Sequence, residues 1–327
     1  MRVLFLVDSS IGDVRQHPYR LHLGATKKLA KLCEFFIYGP HEHELNTEQE
    51  APIEFNPSYQ YDDLLDIFNP DVVIAKAWCL TQGFASPKSI NRNVPYVCLE
   101  GDYYSLKQHA HEWHKRMGFD LILHRNPIID EEDISGIKKV WIPLSANEDE
   151  FYTPITDGYL RGREQKVVFM GNTDTLVREY DFRRKIISHL SRNNYFDYLG
   201  LVAPKIYPKL LKKYIASLTC AGGDLHVILG KVFESMASGT VVLTPWFTSE
   251  KALFGESECF FKFKDDLSDI DRVVAEVIND KDKTKKVSRN ALEIVNNNHL
   301  DKHRTKELYD ILSCLISGKE IPEKWGR

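Results

Sequence analysis

The sequence predicts an α/β protein built as two doubly wound parallel-sheet domains, and three observations carry that expectation. Short strand-like runs, apolar throughout at Val3 to Val7 and apolar after one charged residue at Asp71 to Ala75 and Lys166 to Met170, have the length and two-sided hydrophobicity of strands buried on both faces. Amphipathic helical stretches alternate with them, as crossover connections require. A stretch rich in Pro, Gly and polar residues from Thr153 to Gly162 then marks a domain boundary near the middle of the 327 residues. The expected division is 1–155, 156–300 and a closing helix with its tail at 301–327.

Composition fits an ordinary globular protein, with 43% hydrophobic and 28% charged residues and a formal net charge of −4. Such a balance supplies no global basic field for nucleic acid or an acidic membrane. The six cysteines form no Cys-x-x-Cys pair and lie mostly in apolar contexts, so free thiols in a reducing, cytoplasmic compartment are expected. The apolar start Met1 to Val7 stops at Asp8 with no small-residue cleavage site after it, so it is a first core strand rather than a leader. No apolar run reaches the length of a membrane span.

Val3 to Val7 is the first strand, and the loop Asp8 to Asp13 follows its carboxyl end, where open parallel sheets bind ligands. Gly12 in that loop is either a point of close backbone approach or a plain turn glycine. A helix is expected from His17 to Leu32, a strand from Phe35 to Tyr38, and a helix from Tyr61 to Phe68 that Asn69-Pro70 ends. Strands follow at Asp71 to Ala75, Pro95 to Leu99 and Asp120 to His124. No GxGxxG follows the first strand, which argues against a dinucleotide-binding domain. Glu100 and Asp102 stand at a strand end, where a carboxylate positions a hydroxyl, acts as a base, or simply caps the next helix. His109, His111, His114 and Glu112 cluster locally, but only His111 and His114 share a helix face, so a metal site is weakly specified. A helix with Trp113 packed inward is the alternative.

Val140 to Asn147 is an apolar run containing Pro143 and leads into the boundary stretch. Lys166 to Met170 is then a strand ending in Gly171-Asn172. A polar loop and then a basic helix carrying Arg178, Arg183 and Arg184 are expected after it. Gly171 permits close approach of backbone to an anion, and an arginine would neutralise it; the alternative is a strand-ending turn and a solvent-facing helix. Tyr195 to Val202 is a strand with its turn, Tyr207 to Ala216 an amphipathic helix, and Ser217 to Ala221 a strand of small residues. Later elements are a strand at Cys259 to Phe263 and helices at Leu267 to Ile278, Thr284 to Asn296 and His303 to Ile316.

The most informative stretch runs from Gly230 to Pro245. Val232, Phe233, Met236 and Ala237 form one apolar helical face. Gly239 sits where a helix end takes a left-handed residue, and a β-branched strand follows. Lys231 and Glu234 are three apart and share a face beside that stripe. A cation at a helix start with a carboxylate one turn later suits a ligand bearing phosphates at one end and hydroxyls at the other, and the helix-start amides add to the phosphate site. The competing account is a surface Lys–Glu pair on an ordinary amphipathic helix.

With the pattern Lys-x-x-Glu-x-x-Ala-x-Gly-x-x-Val, this stretch resembles the nucleotide-sugar signature of GT-B glycosyltransferases, most closely the CgeB-like and family 4 enzymes. The resemblance covers the second half well and the first half by layout only. It implies two Rossmann-like domains facing across a cleft, with the closing helix returning to the first domain. It also implies a donor ribose held by Glu234, a diphosphate facing Lys231, and donor contacts at Gly171, Asn172 and Arg178. Trp246-Phe247-Thr248, just beyond the strand end, would offer the donor either aromatic surface or the Thr248 hydroxyl. Asp102 would face the acceptor side, Gly12 stays a candidate for binding the substrate or donor, and Asp102, His226 and Lys231 are the catalytic candidates. The family 4 pattern places a glutamate eight residues before the second one; here that position is His226, a departure that bears on the donor sugar.

The resemblance therefore implies metal-independent transfer, with retention, of a sugar from a nucleotide sugar to an unidentified acceptor, with no cofactor. Nucleotide-sugar epimerases and phosphorylases of the same fold, a DNA-base glycosyltransferase, and a non-catalytic sugar- or nucleotide-binding protein are the rival accounts. The negative net charge argues against a nucleic-acid acceptor.

Overall fold

Alternate residues of β1 (Arg2–Leu6) face opposite ways, and that alternation divides the core around them into two layers. Val3 and Phe5 enter one apolar cluster, Leu4 and Leu6 another. The computed structural model describes residues 1–6, 20–39, 56, 58–76, 93–100, 107–126, 136–174, 180–221 and 226–325, with backbone only at 20–23, 76 and 107–111. The chain forms two units, one comprising Met1–Pro143 with Lys302–Arg327 and the other Leu144–Asp301.

In the first unit β1 is followed by α1 (Arg20–Lys27), β2 (Glu34–Tyr38), α2 (Tyr61–Phe68), β3 (Val72–Lys76), β4 (Tyr96–Glu100), α3 (Lys107–Met117), β5 (Leu121–His124) and β6 (Lys138–Trp141). All six strands pair in parallel, in the order β2-β1-β3-β4-β5-β6. Asn69 ends α2 in the left-handed conformation at φ 42°, which asparagine tolerates better than most residues. The expected helix at 17–32 is shorter in the structure, because after Lys27 the chain tightens into a 3-10 turn over Lys28–Lys31. One sheet face packs against Leu308, Ile311 and Leu312 of the last helix; Thr305 of that helix donates to the Ala25 carbonyl at 2.9 Å. The strand order reverses between β1 and β3, and Gly12 and Asp102 follow strands of this sheet but lie outside the described residues.

The second unit runs through α4 (Glu148–Phe151), β7 (Glu164–Met170), α5 (Asp181–Leu190), β8 (Phe196–Gly200), α6 (Tyr207–Lys213), β9 (Tyr214–Leu218), α7 (Gly230–Ala237), β10 (Val241–Thr244), α8 (Glu250–Phe254), β11 (Phe260–Lys262), α9 (Ile270–Asn279) and α10 (Lys281–Asn298). Helix α11 (Asp301–Ile316) closes the fold. The five strands are parallel in the order β11-β10-β9-β7-β8, so the order reverses at β7. One apolar face of α9, with Val273, Val274 and Val277 buried, covers the sheet; each such side chain stabilises the unit by roughly 1.5–3 kcal/mol. No helix among the described residues is long and apolar enough to cross a membrane.

One element differs from expectation in kind. The helix expected from Tyr207 to Ala216 stops at Lys213, and Tyr214–Leu218 is a strand. Leu210, Leu211, Tyr214 and Ile215 have helical spacing, so the sequence pattern runs on. Tertiary pairing overrides it: all five residues of β9 are buried, and the strand bonds to β7 on one side and β10 on the other. An aromatic and a β-branched residue are better accommodated on that doubly covered surface than in a helix.

Candidate functional site

The second unit brings its candidate residues together where its strand order reverses, the place at which open parallel sheets hold ligands. β7 ends in Met170-Gly171, and the Gly171 amide donates to the Gly200 carbonyl at 2.9 Å, so β7 and β8 finish side by side. Helix α7 starts nearby with Leu229 at its N-cap and no capping side chain. Amides at an uncapped helix start are available to an anion.

Lys231 leaves the first turn of α7 and donates from Nζ to the Met170 carbonyl. A Cβ on residue 171 would stand 3.1 Å from that ammonium. Glycine therefore lets Lys231 lie across the strand end without displacement. The lysine is raised in energy by its surroundings: burial lowers its pKa, the nearby Arg183 charge lowers it further, and Glu234 opposes both.

Glu234, one turn on, is completely buried. Neither carboxylate oxygen has a hydrogen-bond partner among the described residues. Burial drives its pKa up and the Lys231 charge draws it down. A fully enclosed carboxylate whose oxygens bond nothing is costly in a protein interior. Tyr207, at the start of α6, stands close enough to act on Glu234 electrostatically without meeting hydrogen-bond geometry. Its ring centre lies 5.9 Å from the Lys231 ammonium. No motif in the sequence pointed to Tyr207, which is 27 residues from Glu234 along the chain.

Asn172 uses its side chain locally: Oδ1 accepts from the Asp174 amide at 2.9 Å. Its carbonyl accepts from Arg183 at 3.2 Å. Arg184 instead holds the Thr173 and Asp174 carbonyls and pairs with Asp181. Arg183 is thus the described arginine beside Lys231, its Nε buried without a hydrogen-bond partner among the described residues. Arg178 lies outside the described residues. His226 and Thr248 meet before α7 and after β10: the Thr248 amide and hydroxyl donate to the His226 carbonyl at 3.0 and 3.2 Å.

In the first unit Glu100 is buried against His114, with 2.8 Å between Oε2 and Nε2. The Cys98 thiol joins them, the three donor atoms lying within 4.8 Å of one another. Trp113 is buried, as the inward-packed helix predicted, and Glu112 is exposed. The side chains of His109 and His111 lie outside the described residues, so the clustered histidines are not seen as a set.

Residues 163–310 match the model of a family described as glycosyl transferase-like. No match was found among curated proteins. Among solved structures, a glycosyltransferase from Rickettsia africae superposes with a TM-score of 0.62 at 13% identity, over 98% of this chain and 99% of its own. Sucrose-phosphate synthase of Thermosynechococcus elongatus gives a TM-score of 0.65 at 11% identity, over 98% and 100%. HepE of Anabaena, solved with UDP and glucose, gives 0.65 at 14%, over 96% and 99%. At these identities the likeness is one of fold, and the fold is GT-B.

Proposed function

We propose, on the premise that this chain is a GT-B glycosyltransferase with a glycosyl transferase-like domain at residues 163–310, that its C-terminal unit binds a nucleoside-diphosphate sugar. The observation that carries this is Glu234: a buried carboxylate with both oxygens unbonded among the described residues, one helical turn from Lys231. Two unbonded acceptor oxygens match the paired hydroxyls of a ribose, which would return the hydrogen bonds that burial removed.

Lys231 then meets the diphosphate, with the amides at the start of α7 and Arg183 beside it. As the bond from the anomeric carbon to the phosphate oxygen breaks, negative charge gathers on the departing nucleoside diphosphate. Fixed cations stabilise that charge. Here the positive charge comes from side chains, and the reaction as proposed uses neither a resident metal nor a cofactor. The sugar passes to an acceptor hydroxyl with retention, as the likeness to family 4 enzymes suggests. Free thiols at Cys33, Cys98, Cys220, Cys259 and Cys314 accord with action in the cytoplasm.

The test is thermal stabilisation by UDP-, GDP-, ADP- and dTDP-sugars. One nucleotide class is expected to raise the melting temperature of the parent, and Glu234→Gln to abolish the rise while remaining folded. UDP-sugars are the first arm, since HepE was solved with UDP. Stabilisation that survives Glu234→Gln undiminished would overturn the assignment. Formation of a new sugar nucleotide without any acceptor would instead identify an epimerase.

A further inference from the structure

Beyond β10 the chain reads Pro245-Trp246-Phe247-Thr248, and its two aromatics part company. Phe247 is buried against Phe254 and Phe260. Trp246, the only tryptophan between residues 144 and 301, stays 51% exposed. An indole left half in water forgoes roughly 1–2 kcal/mol of burial. Its position is nevertheless fixed. The His226 ring lies 5.0 Å away, tilted by 56°, and His226 Nδ1 is 3.3 Å from the Trp246 carbonyl. The two hydrogen bonds from Thr248 to the His226 carbonyl close the clasp from the other side. Phe247 anchors it below.

The order of groups along α7 says what such a surface would meet. Glu234 is deepest in the helix, Lys231 is one turn nearer its start, and His226 precedes the start. A ligand with its ribose at Glu234 and its diphosphate at Lys231 continues, in the same direction, towards His226 and Trp246. The next part of a nucleotide sugar is the sugar ring. Pyranose rings present a face of C–H groups carrying partial positive charge, which suits the electron-rich face of an indole.

We propose that Trp246, braced by His226, is the platform on which the transferred pyranose stacks, and that it selects the sugar rather than the nucleotide. This rests on Lys231 and Glu234 being the donor site. The chain with histidine at position 226 thereby grips its sugar with an aromatic pair.

The test uses the full chain and calorimetric titration with UDP, GDP, ADP and dTDP and with the glucose conjugate of each. For the nucleotide that binds, Trp246→Ala is expected to weaken the conjugate roughly tenfold and the bare diphosphate less than about twofold, while Trp246→Phe keeps most of the affinity. Tryptophan fluorescence in the parent should respond to the conjugate more than to the bare diphosphate, and that difference should vanish in Trp246→Phe. Equal weakening of both ligands would assign the indole to the nucleotide and overturn the proposal. So would affinities that Trp246→Ala leaves unchanged. If no diphosphate and no conjugate binds the parent, the donor site itself is wrong, and this inference falls with it.

Discussion

Gly171 and Lys231 compete for the same space: the Cβ that any other residue would bring to position 171 stands 3.1 Å from the Lys231 ammonium and 3.3 Å from the Phe169 ring. Lysine ends are flexible, so the methyl group of an alanine would push the ammonium off the Met170 carbonyl rather than disrupt the sheet. Gly171→Ala is therefore expected to keep a melting temperature within a few degrees of the parent. Its affinity for the nucleoside diphosphate should fall roughly tenfold, since one charge-assisted contact is worth about 1.5 kcal/mol. Calorimetry of the two proteins side by side decides it; unchanged affinity would mean that Lys231 does not serve the diphosphate.

The same lysine sets a pH limit. Burial and Arg183 hold its pKa below the ordinary value, so in the free protein it loses its proton earlier than an exposed lysine does. A bound diphosphate favours the charged form and raises that pKa. On the alkaline side affinity should consequently decline above the free-state pKa, by up to about one decade per pH unit. The decline ends once the pH passes the pKa in the complex. Lys231→Met should bind weakly at every pH, with this alkaline decline gone. A Lys231→Met variant that still shows it would place the titrating group elsewhere.

Much of this site is legible in the sequence, and the parts that are not have physical reasons. Lys231 and Glu234 are three apart on a strongly patterned helix, so local periodicity alone puts them on one face. Helix periodicity does not reveal that Glu234 is completely enclosed, because burial depends on α4, α6 and α10 arriving from elsewhere in the chain. Tyr207 was invisible for the same reason. Arg178, Arg183 and Arg184 are equivalent in a basic stretch; only the start of α5 at Asp181 and the end of β7 determine that Arg183 faces Asn172. The extra strand at Tyr214 shows the converse, a local helical pattern overruled by pairing on both sides. Gly239 was legible, since a helix end that must reverse at φ +67° calls for glycine.

Arg163 was not singled out in the sequence, yet it ties the far end of α7 to the sheet. Its guanidinium is buried and donates to the carbonyls of Leu211, Tyr214 and Ser238 and to the Thr240 hydroxyl. Its pKa is lowered by burial to about 10. A helix C-terminus carries partial negative charge, so a cation on the Ser238 carbonyl is well placed. Arg163→Met removes the charge and the guanidinium donors to the Tyr214 and Ser238 carbonyls, while Leu211 keeps the Thr240 hydroxyl at 2.6 Å, at a cost of about 3 kcal/mol. The expected result is a clear drop in melting temperature with donor affinity largely kept in the fraction that stays folded. A stability equal to the parent would show that water replaces the guanidinium without loss.

If the donor binds as proposed, Tyr207 is expected to act on the acid limb of that binding. Ionised Glu234 is the stronger acceptor for two ribose hydroxyls, and burial raises its pKa, so affinity should fall with decreasing pH well before an exposed glutamate would protonate. Tyr207 works against that rise, lowering the Glu234 pKa. Tyr207→Phe keeps the ring packed against Phe151, 6.0 Å between centres, and keeps the aromatic face near Lys231. What it removes is the hydroxyl alone. The acid limb of a pH titration of donor affinity is therefore expected to move to higher pH in Tyr207→Phe, while the alkaline limb set by Lys231 shifts less. Because Lys231 and Glu234 interact, the two limbs report the pair jointly rather than each residue singly. A variant that loses affinity equally at all pH values would assign Tyr207 to packing, and one with an unmoved acid limb would detach it from Glu234.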